Sequence, residues 1–352
     1  MNKIYYYCPQ NLINSYFETQ KKLIKSMGYD LIYINYSNYR KELIDKKPIN
    51  SIIILNFVEN GHGSGKRLLA FYLYWLIILK NSKKNNNKII FVYHNLSIHD
   101  AKPIKRILSD LAILYLKKNS DAIQLLSYNS SSYIKKSYRN KCFVIPHSMY
   151  ANDYETTTNN NKDNLNLLFF GMIKKYKNIE MIIKIARNNK DKNITFTIRG
   201  DANTKYCNKL IRMSKNLKNV VIIPNFVPDN EISTIMSKCD AIILPYNKKS
   251  CLNSGAAILA GSYRKTFICP SIATIKDMPN NLIYSYDYSN KKNHLINLQN
   301  IIIKMYNDKN NNPNILIEKG QQLQNYLIEN HSEQIIIERY RKMFDYLNNK
   351  KD

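Results

Sequence analysis

The chain has 352 residues, 44% of them hydrophobic, which is enough for two domains with ordinary cores and too apolar for a disordered chain. Its 53 Lys and Arg against 26 Asp and Glu give a formal net charge of +27, favouring anionic partners: a nucleotide, a nucleic acid or an acidic membrane surface. Lys, Asn, Ile and Tyr are abundant together, as an AT-biased coding sequence would make them, so the charge alone selects none of these. The six cysteines form no CxxC pair and no His stands at ligand spacing from them, which argues against a zinc site or a disulfide framework and suits a reducing cytoplasm. The amino terminus runs into a first strand without a signal-peptide core, and the most apolar run, 68–79, is shorter than the roughly 20 residues a membrane span needs.

Strand and helix patterns alternate from the start. A strand over 3–7 precedes a helix over 15–27 that Gly28 stops, then strands over 31–34 and 51–57. A helix over 64–80, a strand over 88–93, a helix over 103–119 and strands over 121–126 and 141–145 complete a first domain, 1–150. Residues 151–164 are polar, asparagine-rich and without period, and read as a linker. Alternation restarts in a second domain, 165–331, with strands over 165–170, 193–198, 220–223, 240–244, 266–269 and 282–286. Helices over 289–307, 314–329 and 332–348 close the chain, and the segment 332–352 is placed back on the first domain. Such alternation predicts an α/β protein of two doubly wound, Rossmann-like domains, with a cleft where the carboxyl ends of the strands face each other.

The stretch "ENGHGSGKRLLAFYLYW", 59–75, has the outline of a phosphate-binding loop after a strand. Two diagnostic positions fail: Asn60 replaces the first glycine, and Arg67 replaces the Ser or Thr that would hold magnesium. A flexible connection between a strand and its crossover helix explains the glycines equally well. In the second domain the strand 165–170 ends in Gly171, and six residues on Lys177 stands at the start of a helix. Glycine permits close backbone approach and the lysine supplies a point charge for phosphate, on a helix start where an exposed, solvated lysine is the ordinary case. Further along, Asn253, Ser254 and Gly255 open a helix of small residues; Asn253 or Ser254 suits its N-cap, and the amides of 254–257 form an anion site.

The order and spacing of "FFGMIKKYKNIEMIIKIA" (169–186), "NFVPDNEISTIMSKCDAIILPY" (225–246) and "NSGAAILAGSYRKTFICP" (253–270) resemble GT-B glycosyltransferases of the family 4 type. The resemblance covers about 100 residues well. It implies that Lys177 and the helix start at Ser254 and Gly255 hold the diphosphate of a nucleotide sugar, with the base against Phe226 and Val227 and Tyr246 ending the neighbouring strand. In the first domain His94-Asn95, with His99 beyond, is similar to the "HN" element of bacterial enzymes that build surface polysaccharides, and Glu59 stands where those carry a polar residue. The same resemblance puts the loop of Lys66 and Arg67 on the acceptor side, meeting an acceptor phosphate. Two departures stand out: Cys251 and Leu259 occupy the places of a glutamate pair with seven residues between them, and Met172 replaces a frequent arginine.

His94, just past a strand end, suits a general base titrating near working pH, with Glu59 as its competitor. His99 and Asp100 suit capping of the following helix, and His147 after Pro146 suits a structural turn. The helix 103–119 carries Lys102, Lys105, Arg106, Lys117 and Lys118 beside Ile104, Ile107, Leu111 and Leu114, a pattern suited equally to an anionic membrane surface and to a core helix with solvated ends. The expected function is sugar transfer from a nucleotide-diphosphate sugar to a glycan or lipid-linked acceptor in bacterial surface-polysaccharide synthesis. No metal or other cofactor, no nucleic acid, and a place in the cytoplasm at the inner face of the membrane belong to that expectation. The rivals are a P-loop nucleotide hydrolase, a noncatalytic nucleic-acid-binding protein and a sugar-phosphate isomerase.

Overall fold

The computed structural model of the chain describes residues 2–9, 15–150, 164–202 and 204–349. All but Asn164 of the expected linker lies outside them. The chain forms two compact units: 1–148 together with 331–352, and 149–330.

The first unit is built on a six-stranded sheet: β1 (Lys3–Tyr7), β2 (Asp30–Ile34), β3 (Ile52–Asn56), β4 (Lys88–Tyr93), β5 (Ala122–Leu125) and β6 (Cys142–Val144). The spatial order is β2-β1-β3-β4-β5-β6, and every pairing is parallel. Its central strands are buried on both faces and read as continuous apolar runs, Ile-Ile-Ile-Leu in β3 and Ile-Ile-Phe-Val in β4. Helix α1 (Ser15–Ser26) runs between β1 and β2, whereas α2 (Lys66–Lys84) and α3 (Pro103–Asn119) carry the chain the other way along the sheet. Right-handed crossovers therefore set α2 and α3 side by side on the face opposite α1. Side-chain contacts agree: Trp75 of α2 meets Tyr7 edge-on at 4.7 Å, and the Lys117 ammonium of α3 lies 3.9 Å from the Tyr93 ring centroid.

The second unit repeats the plan with β7 (Leu165–Phe170), β8 (Ile194–Arg199), β9 (Val220–Ile223), β10 (Ala241–Ile243), β11 (Thr266–Pro270) and β12 (Tyr284–Tyr286). Their order, β12-β11-β10-β7-β8-β9, is again all parallel. Around it lie α4 (Ile179–Asn188), α5 (Thr204–Ser214), α6 (Asp229–Ser237), α7 (Gly255–Ser262), α8 (Ala273–Lys276), α9 (Lys291–Asn311) and α10 (Ile315–His331). Leu165, Leu167 and Phe169 of β7 pack with α4 and α9, and Leu168 joins Ile258 of α7 and Leu323 and Leu327 of α10 on the other side. Close packing of α10 depends on two glycines: a Cβ on Gly320 would stand 2.0 Å from the Arg264 carbonyl oxygen, and one on Gly261 2.6 Å from Leu327 Cδ1.

The final helix, α11 (Glu333–Asn349), belongs to the first unit. Ile336, Tyr340, Met343, Phe344 and Leu347 are buried with Leu23 and Ile24 of α1, and Tyr340 Oη donates to Gln20 Oε1 at 2.5 Å. Strand and helix limits differ from the sequence expectation by one to four residues at several ends, where hydrogen bonding rather than apolar content decides the boundary.

Candidate functional site

Each sheet has one point where the strand order reverses direction, and α/β proteins bind ligands just beyond the carboxyl ends of those strands. In the second unit the reversal falls between β7 and β10, whose ends are Phe170 and Ile243. Gly171 follows β7 with φ +117, a conformation that L side chains rarely adopt, and a Cβ there would stand 3.2 Å from Lys177 Nζ. The turn thus brings the lysine ammonium directly over the glycine. Gly200, after β8, has φ +144, and a Cβ on it would lie 2.3 Å from the Gly171 carbonyl oxygen, so a second glycine lets the first one sit where it does.

Lys177 is not the solvated helix lysine that its position suggests. It ends a short 3-10 turn, Lys175–Lys177, and is only 8% exposed, because its ammonium lies among Phe169 and Tyr246, 5.5 and 6.0 Å from their ring centroids. Burial pushes its pKa down to about 8, since the charged form loses water and no carboxylate faces it among the described residues. Asn178, at φ 53, caps the turn, and its Nδ2 donates 2.9 Å to the carbonyl of Pro245 beyond β10; the Asn247 amide donates to the Tyr176 carbonyl at 3.2 Å. These bonds hold the turn against the segment that carries Tyr246. The burial of Tyr176, Lys177 and Asn178 against that segment is the part that the spacing of lysines in "MIKKYKN" does not reveal.

Ser254 is the N-cap of α7: its hydroxyl accepts from the Ala257 amide at 3.1 Å and stands 3.4 Å from the Tyr246 hydroxyl. One of the amides expected to face an anion, that of Ala257, is therefore taken by the cap, which leaves Gly255 and Ala256 heading the helix dipole. Asn253 does not cap; its Oδ1 accepts from the Thr274 hydroxyl at 2.9 Å. Cys251 lies close enough to Lys177 for each to perturb the other's ionisation. Gly171, Lys177, Tyr246, Ser254 and the start of α7 thus form one chain of neighbours. Val227 is buried in the same apolar cluster as Tyr246, Cys251 and Ala257, whereas the Phe226 ring is 67% exposed in the loop after β9.

In the first unit the reversal lies between β1 and β3. Asn56, the last residue of β3, donates through Nδ2 to the Tyr7 carbonyl at 3.0 Å, which turns its Oδ1 toward His94 Nε2 at 2.9 Å. That nitrogen therefore carries the proton. The His94 ring is stacked on Phe57 at 4.0 Å and buried, and desolvation with His147 nearby lowers its pKa to about 3. The expectation of a base titrating near working pH fails for this reason: His94 is a neutral hydrogen-bonding group. His147, also neutral with a pKa near 4, is tied by Nδ1 to the Ser148 carbonyl at 2.7 Å, and its own carbonyl meets His331 Nδ1 at 2.7 Å.

Glu59 lies in the tight turn Val58–Asn60 that follows β3. Burial raises its carboxyl to about 7, and Oε2 has no hydrogen-bond partner among the described residues. Its charge reaches Tyr7, Tyr72 and Tyr93 rather than His94, so the two candidate bases occupy different surroundings. The glycine loop continues from there with Gly61, Gly63 and Gly65 all at positive φ, held by Tyr72 Oη on the Glu59 carbonyl at 2.7 Å and Tyr36 Oη on the Gly61 carbonyl at 3.3 Å. Lys66 and Arg67 are exposed at the start of α2. Asn95 and His99 are half-buried beyond β4, and Asp100, at φ 49, is not the cap of α3; Lys102 holds that position without a side-chain bond. Lys117 is likewise no solvated helix end, since its ammonium donates to the Tyr133 carbonyl at 3.2 Å and burial lowers its pKa to about 8.

Residues 151–253 match the family model described as glycosyl transferases group 1. Over 105 residues the chain is 27% identical to a GDP-mannose:glycolipid 4-beta-D-mannosyltransferase of Xanthomonas campestris pv. campestris, and the match spans 30% of each chain. Among solved structures it is similar to HepE of Anabaena in complex with UDP and glucose, with a TM-score of 0.71 at 10% identity over 98% of this chain and all of that one. It is also similar to a sucrose-phosphate synthase from Thermosynechococcus elongatus, with a TM-score of 0.73 at 11% identity and 99% of each chain covered. The two parallel six-stranded sheets thus give the chain the GT-B fold of these structures, and the segment 151–253 is similar to glycosyl transferases group 1.

Proposed function

We propose that the chain transfers a glycosyl group from a nucleoside-diphosphate sugar to a hydroxyl of a glycan or lipid-linked acceptor. The observation that carries this reading is the buried Lys177 ammonium poised over Gly171 at the reversal point of the second sheet. An anion of two phosphates meets there a desolvated cation and, through Tyr246 and Ser254, the amides that head α7. In the reaction the bond from the anomeric carbon to the diphosphate oxygen breaks and one to the acceptor oxygen forms, while the acceptor proton passes to a base. Negative charge grows on the departing diphosphate, where Lys177 stabilises it more than in the ground state. Lys177 and the helix dipole supply the charge that a metal ion would otherwise supply, so the reaction is proposed to proceed without one.

The acceptor side is assigned to the first unit. His94, fixed by Asn56, orients a hydroxyl, and Glu59, with its carboxyl near 7, is the better of the two bases. Lys66 and Arg67 meet an acceptor phosphate, and Phe226 lies against the donor base. The partial likeness to an enzyme named for a glycolipid substrate supports a role in bacterial surface-polysaccharide synthesis.

Thermal-shift titration with UDP, GDP and their sugars tests the reading. A diphosphate at 100 times its Kd should add about 2.7 kcal/mol of stability, in EDTA as in buffer. Stabilisation by ATP with magnesium alone would favour a nucleotide hydrolase, and steeply salt-dependent binding to DNA or RNA a nucleic-acid-binding protein.

A further inference from the structure

The segment that carries Tyr246 leaves its sheet just before it reaches Lys177. Strand β10 ends at Ile243, the Leu244 amide still donates to the Ile268 carbonyl of β11 at 2.9 Å, and from Pro245 onward the backbone groups turn to other partners. The turn after β7 supplies two of these bonds, from Asn178 Nδ2 to the Pro245 carbonyl at 2.9 Å and from the Asn247 amide to the Tyr176 carbonyl at 3.2 Å. From the opposite side of β10 in the sheet order comes Tyr288, two residues past β12. Its hydroxyl donates to the Tyr246 carbonyl at 3.2 Å and accepts from the Lys248 amide at 2.8 Å. One phenol thus does for this segment what a neighbouring strand does inside the sheet, satisfying a carbonyl and an amide together.

The phenol is itself held in place. Tyr288 is buried; its ring lies 3.9 Å from the His294 imidazole with an interplanar angle of 3°, and the Lys248 ammonium stands 5.0 Å from its centroid. Lys248 pairs with Asp287, whose Oδ1 also accepts from the Tyr288 amide at 2.7 Å, and His294 Nε2 is hydrogen-bonded to Tyr286 Oη at 2.8 Å. What this cluster fixes is the residue that joins the two halves of the seat made by Gly171, Lys177 and Ser254. Tyr246 has the Lys177 ammonium 6.0 Å from its ring centroid and its hydroxyl 3.4 Å from that of Ser254, the cap of α7. We infer that Tyr288 is a positioning residue of this seat, holding Tyr246 against Lys177 and the cap of α7 without itself touching the ligand. The inference rests on the reading of Lys177 as the cation that meets the diphosphate.

Tyr288→Phe in the full-length protein removes the hydroxyl and both of its bonds while the ring keeps its stack on His294. Tyr286→Phe, which removes a similarly buried hydroxyl from the same cluster, is the control. The first readout is the titration of the Lys177 amine, followed by NMR of isotope-labelled lysine side chains and assigned with Lys177→Met; it needs no donor. Burial holds that amine at about 8, and its titratable neighbours are Cys251 and Lys174. With Tyr246 released in Tyr288→Phe, water reaches the ammonium, and the midpoint should rise to about 9 or higher. In Tyr286→Phe it should stay at the wild-type value. The second readout is the Kd for UDP and GDP, which should rise about 3- to 10-fold in Tyr288→Phe, the worth of a hydrogen bond, and hold in Tyr286→Phe. Melting temperatures of the two variants should fall alike, so a loss of stability alone does not separate them. The inference is overturned if Tyr288→Phe leaves the Lys177 midpoint where it is, if both variants move it equally, or if the wild type binds diphosphate and Tyr288→Phe binds it as well. A wild type that binds no diphosphate, with the midpoint raised in Tyr288→Phe, sinks the transferase reading while the hold of Tyr288 on Tyr246 stands.

Discussion

The two sheets share a plan and differ in what they leave at the point of reversal. In the first unit Asn56 spans the Tyr7 carbonyl and His94, and the imidazole is stacked and neutral. In the second unit the lysine is buried with no carboxylate facing it among the described residues, over a glycine that offers only backbone. A closed polar network rigidifies, while an unanswered buried cation is a standing cost that an anionic ligand relieves. The difference teaches that the same fold position can hold a hydrogen-bonded neutral group in one domain and a desolvated cation in the other.

The largest effect should come from the glycine that makes the seat possible. Gly200→Ala places a methyl against the Gly171 carbonyl and forces an L residue to φ +144, and should cost roughly 2 to 4 kcal/mol in denaturant unfolding. Gly28→Ala, with open space around it and φ +88, is the control and should cost about 1 to 2 kcal/mol. Equal losses would mean that the approach of Gly200 to Gly171 is not tight.

Next is the carboxyl of the first unit. Glu59 has a folded pKa raised from 4.5 to about 7, so its stabilising contribution is present at low pH and lost as pH rises through 7. The wild type should lose about 3 kcal/mol of stability across that window relative to Glu59→Gln, which should show no such slope. A slope shared by both proteins would place the titration on another group.

Lys177→Met probes the seat itself. Turnover with a confirmed donor should fall about 10- to 150-fold, the worth of a charge-assisted hydrogen bond of roughly 1.5 to 3 kcal/mol. Stability at neutral pH should hold or rise, because a desolvated charge is removed. Lys175→Met, two residues away and exposed, should change neither. Diphosphate affinity of the wild type should decline as pH rises through about 8, where the lysine loses its proton. An affinity flat to pH 10 would detach the cation from binding.

The smallest effect is expected at the loop of the opening motif. Lys66→Ala should leave donor affinity unchanged in calorimetry, since the residue begins a helix of the other unit. A loss of nucleotide binding there would restore the phosphate-loop reading.

The fold was largely legible in the sequence because parallel strands buried on both faces write themselves as apolar runs, as in "SIIILNF" and "KIIFVY". The Gly171, Lys177 and Ser254 grouping was legible through spacing and resemblance. Its physical state was not: Lys177 looks like any helix lysine until Tyr246, sixty-nine positions on, is folded against it. His94 shows the converse, since only the packing of Phe57 and the orientation of Asn56 reveal that it stays neutral. Gly200 could have been noticed as a glycine ending a strand, yet nothing local indicates that it faces a second glycine.

The placement of α11 has a consequence for synthesis on the ribosome. The second unit is continuous in the chain, so it can complete its core as soon as its last helix emerges. The first unit is translated first but finished last, because Tyr6, Leu23 and Ile24 remain uncovered until Tyr340, Phe344 and Leu347 arrive. During that interval its nascent sheet is apolar and open on the α1 side, and the cell must keep it from premature association for the time it takes to make almost two hundred more residues.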